Sequence, residues 1–200
     1  MTEAQEFERR RWIALALLCV AQFVVVLDAS IVNVALPSIG ESLRFSQENL
    51  SWVVNAYILT FGGFLLLGGR LADLLGRRRV FIAGLLLFAL ASLVGGFAES
   101  EGALIAARAV QGLGAALLSP AALSIVTTTF RDSAERAKAL SAWAAIAVGG
   151  AAVGLLAGGL LTEYLAWQWI FLVNLPIGAA AILLGLQYVS ESRVPTSGVD

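Results

Sequence analysis

The stretch Gly68-Gly69-Arg70-Leu71-Ala72-Asp73-Leu74-Leu75-Gly76-Arg77-Arg78-Arg79 lies between two apolar runs of membrane-spanning length. A short connector carrying four arginines is poor at crossing a bilayer and stays on the cytoplasmic side. Its side therefore sets the orientation of every other segment.

The whole chain fits that reading. Of its 200 residues 59% are hydrophobic and 14% charged, whereas a soluble domain carries about a quarter charged residues. The apolar residues come in blocks of roughly 20, as hydrocarbon-spanning helices require. An all-α integral membrane protein follows, expected in the cell (inner or plasma) membrane, with no sign of nucleic-acid binding. There is no histidine, so no histidine metal site or proton relay exists, and no metal site is expected. Cys19, the one cysteine, can form no internal disulfide and suits a small buried filler. The first apolar run exceeds the 7–15 residues of a signal core, and no small-residue cleavage site follows it, so a cleavable leader is not expected.

The hydropathy pattern divides the chain into a polar segment 1–11, six spans over 12–189 and a polar linker 190–200. The spans are expected near 12–36, 51–69, 80–98, 103–129, 139–161 and 167–189, with Pro37 and Gly40 ending the first. Residues 38–50 would form an external loop or a short surface helix. Glu99-Ser100-Glu101-Gly102 reads as a tight acidic turn. All basic residues except Arg44 and Arg108 fall in the N-terminal segment, the charged connectors 70–79 and 131–138, and the tail. The loops on the other side carry Glu41, Glu48, Glu99, Glu101 and Glu163. Both termini are therefore expected in the cytoplasm.

A repeat runs through this pattern. Gly68-Gly69-Arg70-Leu71-Ala72-Asp73 ends the second span, and Gly158-Gly159-Leu160-Leu161-Thr162-Glu163 ends the fifth. At the same offset of 90, Arg77-Arg78-Arg79-Val80-Phe81 corresponds to Trp167-Gln168-Trp169-Ile170-Phe171. One copy is basic and the other is rich in interfacial tryptophan. Three spans repeated with opposite membrane orientation, over about 12–98 and 103–189, follow the construction of secondary transporters.

These residues resemble the major facilitator superfamily. The connector 69–79 is similar to that family's signature between its second and third spans. Leu27-Asp28-Ala29-Ser30-Ile31-Val32-Asn33-Val34-Ala35-Leu36-Pro37 resembles the first-span motif of the fourteen-span drug:proton antiporters. Arg108-Ala109-Val110-Gln111-Gly112-Leu113-Gly114 resembles the fourth-span motif, and Trp169-Ile170-Phe171-Leu172-Val173-Asn174-Leu175-Pro176-Ile177-Gly178 the start of the sixth span in the same branch. In the fifth span, Gly150, Gly154, Gly158 and Gly159 fit the antiport motif, which has proline where Leu155 stands. The family has 12 or 14 spans, so six correspond to its N-terminal half. The resemblance implies proton-driven export of hydrophobic or cationic small molecules by alternating access, with the proton gradient in place of a cofactor and no enzyme chemistry. The expected partners are a small-molecule substrate, the lipid bilayer, and a second half or a self-pairing copy. Two alternatives stay open: a metabolite carrier of the same fold, and a six-span interaction module inactive alone.

Individual residues sharpen this expectation. Asp28 is a carboxylate inside an apolar span, where an ionised acid costs about 2.5–3.5 kcal/mol. Such a group suits proton exchange between two facing states; the other reading is a structural acid paired with an arginine or capped by hydroxyls. Arg108 lies at similar depth on its own span and either tunes Asp28 or snorkels to the interface. Gln111 and Gly112 follow on a small, polar face. Asn33, Asn55 and Tyr57 are further candidates to line a cavity, with Asn33 equally able to bond a neighbouring helix. In the connector, Asp73 and Arg77 are spaced to pair across one helical turn, and Gly69 would let a neighbouring helix approach. The resemblance implies an inner gate of Gly69, Asp73, Gly76, Arg77 and Arg78. The other reading of these arginines is topological, holding the loop inside. Arg131, Asp132, Glu135 and Arg136 extend the same charged surface. The Gly150–Gly154–Gly158 stripe suits either close helix packing or a helix face that flexes.

Overall fold

The computed structural model describes residues 3–189 and Glu191. These form eight helices in order: α1 Glu3–Leu43, α2 Gln47–Leu50, α3 Trp52–Leu75, α4 Arg77–Gly96, α5 Glu101–Thr129, α6 Ser133–Tyr164, α7 Trp169–Leu172 and α8 Asn174–Tyr188. No strand occurs among the described residues. Six stretches are long and apolar enough to cross a membrane, with α2 joined to α3 and α7 to α8.

Several helix ends differ from the expectation. The first span does not stop at Pro37 or Gly40: α1 begins at Glu3 and runs to Leu43 as one helix of 41 residues, about 60 Å long at 1.5 Å per residue. The missing Pro37 N–H costs one backbone bond. The burial of Ala35 and Ile39, both at 0% exposure beside Val53, Leu104 and Trp167, compensates for it. Gly40 serves packing instead of termination, since a Cβ there would sit 3.2 Å from Leu50 Cδ2. The helix closes at Arg44, whose φ is 54°, where Phe45 N–H donates to the Gly40 carbonyl at 3.0 Å.

The second span runs past Gly69 to Leu75 because Ala72 is packed inside the bundle. Only Gly76, at φ 108°, separates it from α4. The expected arginine loop is thus two helix ends joined at one glycine. The sixth span divides at Val173, ahead of Pro176, which cannot donate to the Leu172 carbonyl. Of the expected linker 190–200, only Glu191 falls among the described residues.

The two repeats exchange partners. The middle helix of the first, α3, packs mainly on α5, and the middle helix of the second, α6, packs mainly on α1. The remaining helices, α4 and α8, pack on α5 and α1 respectively and on each other. Close crossings need glycine. A Cβ at Gly68 would collide with the Ala116 carbonyl oxygen, and one at Gly112 with Thr60 Oγ1 and the Tyr57 carbonyl oxygen. On the other side, a Cβ at Gly154 would meet Ser30 Cβ at 2.8 Å, and one at Gly158 would meet Val34 Cβ at 3.0 Å. Small residues let helix backbones approach where lipid gives no hydrophobic drive.

The two ends of the bundle differ in charge. At one end Arg11 donates to Glu135 at 2.8 and 2.6 Å and to Glu8, while its guanidinium lies 5.4 Å from the Phe130 ring centre. The opposite end is tied by Glu101, which accepts from Ser46 N–H at 3.0 Å and Asn49 Nδ2 at 2.8 Å.

Candidate functional site

Five of the six spans send polar groups to one buried point. Asp28 of α1 is fully buried, as are Ser92 of α4, Gln111 of α5 and Asn174 of α8, and Arg108 of α5 is 1% exposed. Arg108 Nη1 donates to Asp28 Oδ2 at 2.5 Å and to Gln111 Oε1 at 2.7 Å. Gln111 Nε2 donates to Asp28 Oδ1 at 2.7 Å, and Asn174 Nδ2 donates to the same oxygen at 2.9 Å. Ser92 Oγ accepts from Asn174 Nδ2 at 3.0 Å and donates to the Phe171 carbonyl at 2.9 Å.

The helical spacing explains the cluster. Arg108 and Gln111 are three residues apart on α5 and share one face. Arg108 is held from the other side by α3: its Nε donates to the Val53 carbonyl at 3.0 Å, and its guanidinium lies 4.3 Å from the Tyr57 ring centre. A buried charge pair of this kind persists only when its remaining hydrogen-bonding capacity is also satisfied. The Asp28 carboxylate meets that condition with three donors. Two polar atoms at the cluster have no partner among the described residues, Asn174 Oδ1 and the Tyr57 hydroxyl.

The cavity-lining candidates separate into two groups. Tyr57, Gln111 and Gly112 lie buried between helices rather than on an open wall. Asn33 and Asn55 are exposed and outside the cluster, and Asn33 Nδ2 donates to its own helix at the Ala29 carbonyl, 2.7 Å away. Ser92 and Asn174 are functional candidates that sequence reasoning did not single out. Their available signal was a lone polar residue inside an apolar span.

At the α3–α4 junction, Arg77 Nη2 donates to Asp73 Oδ1 at 3.2 Å despite the helix break between them. Gly76 is required twice there. Its φ suits glycine, and a Cβ would sit 2.5 Å from the Glu191 carboxylate. Glu191 accepts from Arg78 N–H at 3.3 Å and lies 3.7 Å from Arg79 Nε. Arg78 Nη2 donates to the Leu186 carbonyl, so this arginine also ties α4 to α8. The close helix approach expected at Gly69 falls on Gly68 instead. A Cβ at Gly69 would only touch Pro120 at 3.8 Å, because the two adjacent glycines face about 100° apart on the helix.

The glycine stripe of α6 faces α1. Gly150 lies against Val26 and Phe23, Gly154 against Ser30, and Gly158 against Val34 and Ile31, whereas Gly159 has open space beside it. Leu155 is exposed. No group of acidic or cysteine side chains suited to a metal ion occurs among the described residues.

Comparison with known proteins agrees with this architecture. The puromycin resistance protein pur8 of Streptomyces alboniger is 54% identical over 184 residues, covering 92% of this chain and 36% of that protein. The cephamycin export protein CmcT of Amycolatopsis lactamdurans is 49% identical over 180 residues, covering 90% of this chain and 37% of that protein. The chain therefore spans little more than a third of the length of these relatives. A crystal structure of a peptide transporter in complex with alafosfalin superposes with a TM-score of 0.76 at 19% identity, over 86% of this chain and 37% of that one. The sequence pattern of the Major Facilitator Superfamily matches residues 18–199, and the chain, an integral membrane protein of six apolar helices, belongs to that family.

Proposed function

We propose that this chain is the N-terminal half of a proton-coupled exporter of drug-like small molecules, with the basic end of the bundle and both termini in the cytoplasm. The observation that carries the reading is the buried Asp28 carboxylate, held by donors from α5 and α8. Protonation adds an O–H donor to the carboxyl and weakens it as an acceptor for Arg108, Gln111 and Asn174, so these three contacts are expected to rearrange. Proton uptake and helix rearrangement are thereby linked at one point. The unpartnered Asn174 Oδ1 and Tyr57 hydroxyl are available to the rearranged state. The resistance and export named for the relatives favour a small-molecule drug as cargo.

In this reading the outward faces of α3 and α6, the least buried spans, meet the second half of the transporter. Asp73, Arg77 and Arg78, with Gly76 shaping the turn, serve as the inner gate, and Gly69 lies at its edge. The glycine ladder of α6 holds that helix on α1 and sets the cavity wall.

The test is proton-driven transport of a lipophilic dye cation by the full-length protein in inverted membrane vesicles. Asp28→Asn is expected to abolish the component that a protonophore collapses, at unchanged protein level. Protonophore-sensitive transport that persists in this variant would exclude Asp28 as the coupling group.

A further inference from the structure

A cavity of about 950 Å³ opens at the basic end of the bundle, among the ends of α1, α4, α5, α6 and α8. Five arginines line it: Arg10, Arg11, Arg77, Arg131 and Arg136. The two acids in the wall, Asp132 and Glu135, are both engaged. Asp132 Oδ1 caps α6 by accepting from the Ala134 and Glu135 N–H groups at 3.0 Å each, and Glu135 accepts from Arg11 through both oxygens.

Arg11 is engaged by Glu8 and Glu135, but the other four arginines are left with spare capacity. Among the described residues Arg136 donates to carbonyls alone, those of Phe130 at 2.9 Å and Arg131 at 3.2 Å, which aim its guanidinium without neutralising it. Arg131 has no ion pair among the described residues, and Arg10 has one exposed contact, 3.4 Å from Glu6. Arg77 pairs with Asp73, but its buried Nε has no acceptor among the described residues. A pocket with surplus positive charge and an unmet buried donor calls for an anion with several acceptor oxygens.

Size and position narrow the class. The volume is at the upper end of the ~300–1,000 Å³ range of small-molecule pockets, far more than inorganic phosphate alone would fill. Its floor is apolar, formed by Ala14, Ile125 and Val189, all buried. It also sits at the ends of helices long and apolar enough to span a membrane, the level at which headgroups border the hydrocarbon. We propose that this cavity binds the phosphate headgroup of an anionic phospholipid, with the arginines on the phosphate and the apolar floor against the upper acyl chain. Basic pockets between membrane helices bind such headgroups in this way.

The test is native mass spectrometry of the full-length protein titrated with phosphatidylglycerol or phosphatidylcholine. Phosphatidylglycerol is expected to bind more tightly. Combined Arg10→Gln and Arg131→Gln should weaken it about 25-fold, at about fivefold per arginine. Arg10→Lys with Arg131→Lys should retain most of the binding, which separates charge from folding. Lys138→Gln, near the start of α6 but outside the cavity, should leave it unchanged. Equal losses from Lys138→Gln, no loss from the double variant, or displacement of the lipid by inorganic phosphate would each overturn the proposal.

Discussion

The molecule holds two aspartate–arginine pairs of identical chemistry in opposite settings. Asp28 and Arg108 meet at 2.5 Å with side chains 0% and 1% exposed. Asp73 and Arg77 meet at 3.2 Å across the Gly76 break, with side chains 38% and 12% exposed. The first pair joins two spans 80 residues apart and is embedded in amide and hydroxyl partners. The second belongs to a single junction and faces water on its acidic side. Ionisable groups in the hydrocarbon are tolerated only when fully paired, whereas exposed pairs contribute little to stability and can open and close freely. The buried pair is thus suited to storing a charge state, and the exposed pair to being made and broken.

The sharpest way to break this comparison is to remove one partner from each pair. Arg108→Ala leaves Asp28 buried and uncompensated, and should cost about 3–5 kcal/mol. That loss is read as lower yield and melting temperature of the purified full-length protein in detergent. Adding Asp28→Asn should recover part of it. Equal instability of single and double variants would show that the site is held by packing and not by charge pairing.

A smaller effect is expected at the crossing beside the buried pair. Gly112→Ala forces the Tyr57 and Thr60 segment of α3 away from α5, and overpacking of this kind costs about 1–3 kcal/mol. Gly69→Ala meets only Pro120 at ordinary contact distance, and its melting temperature should stay close to that of the parent protein. Similar melting temperatures for the two variants would remove the distinction between a tight crossing and an open helix face.

The smallest stability change belongs to the exposed pair. Arg77→Gln should cost at most about 1 kcal/mol. If the pair serves as a gate, transport in vesicles falls while the melting temperature hardly moves. A large stability loss would place Arg77 with the structural pairs and set its buried Nε, not its partnership with Asp73, as its main role.

The six spans were legible in the sequence because burial in lipid demands long apolar runs, and α5 starts and ends close to the expected 103–129. Helix ends were less legible. The apolar signal stops at the hydrocarbon edge, while α1, α3 and α6 continue beyond it as helices through polar residues. Asp28 and Arg108 stood out because a charge in an apolar run is conspicuous, and depth alone put them at the same level. Asn174 and Ser92 did not, since a single neutral polar residue has many ordinary uses in a membrane helix. Their role depends on how α4 and α8 cross α1, which no local pattern records. The close approach expected at Gly69 lies at Gly68 for a related reason: spacing from Asp73 gives a turn of helix but not which face meets α5.

The exchange of partners between the repeats has a consequence for how the chain is made. The principal neighbour of α1 is α6, and Ser30 meets Gly154 only after 124 further residues have been synthesised. At about 5–20 residues per second this is a wait of roughly 6–25 s. Likewise α3 must await α5 before its glycine crossing can close. Apart from α4 with α5, pairs of consecutive spans therefore do not supply the main packing of this bundle. The early helices must be sheltered at the insertion machinery or drift in the membrane with Asp28 unpaired, and the bundle becomes self-supporting only once the second repeat has entered.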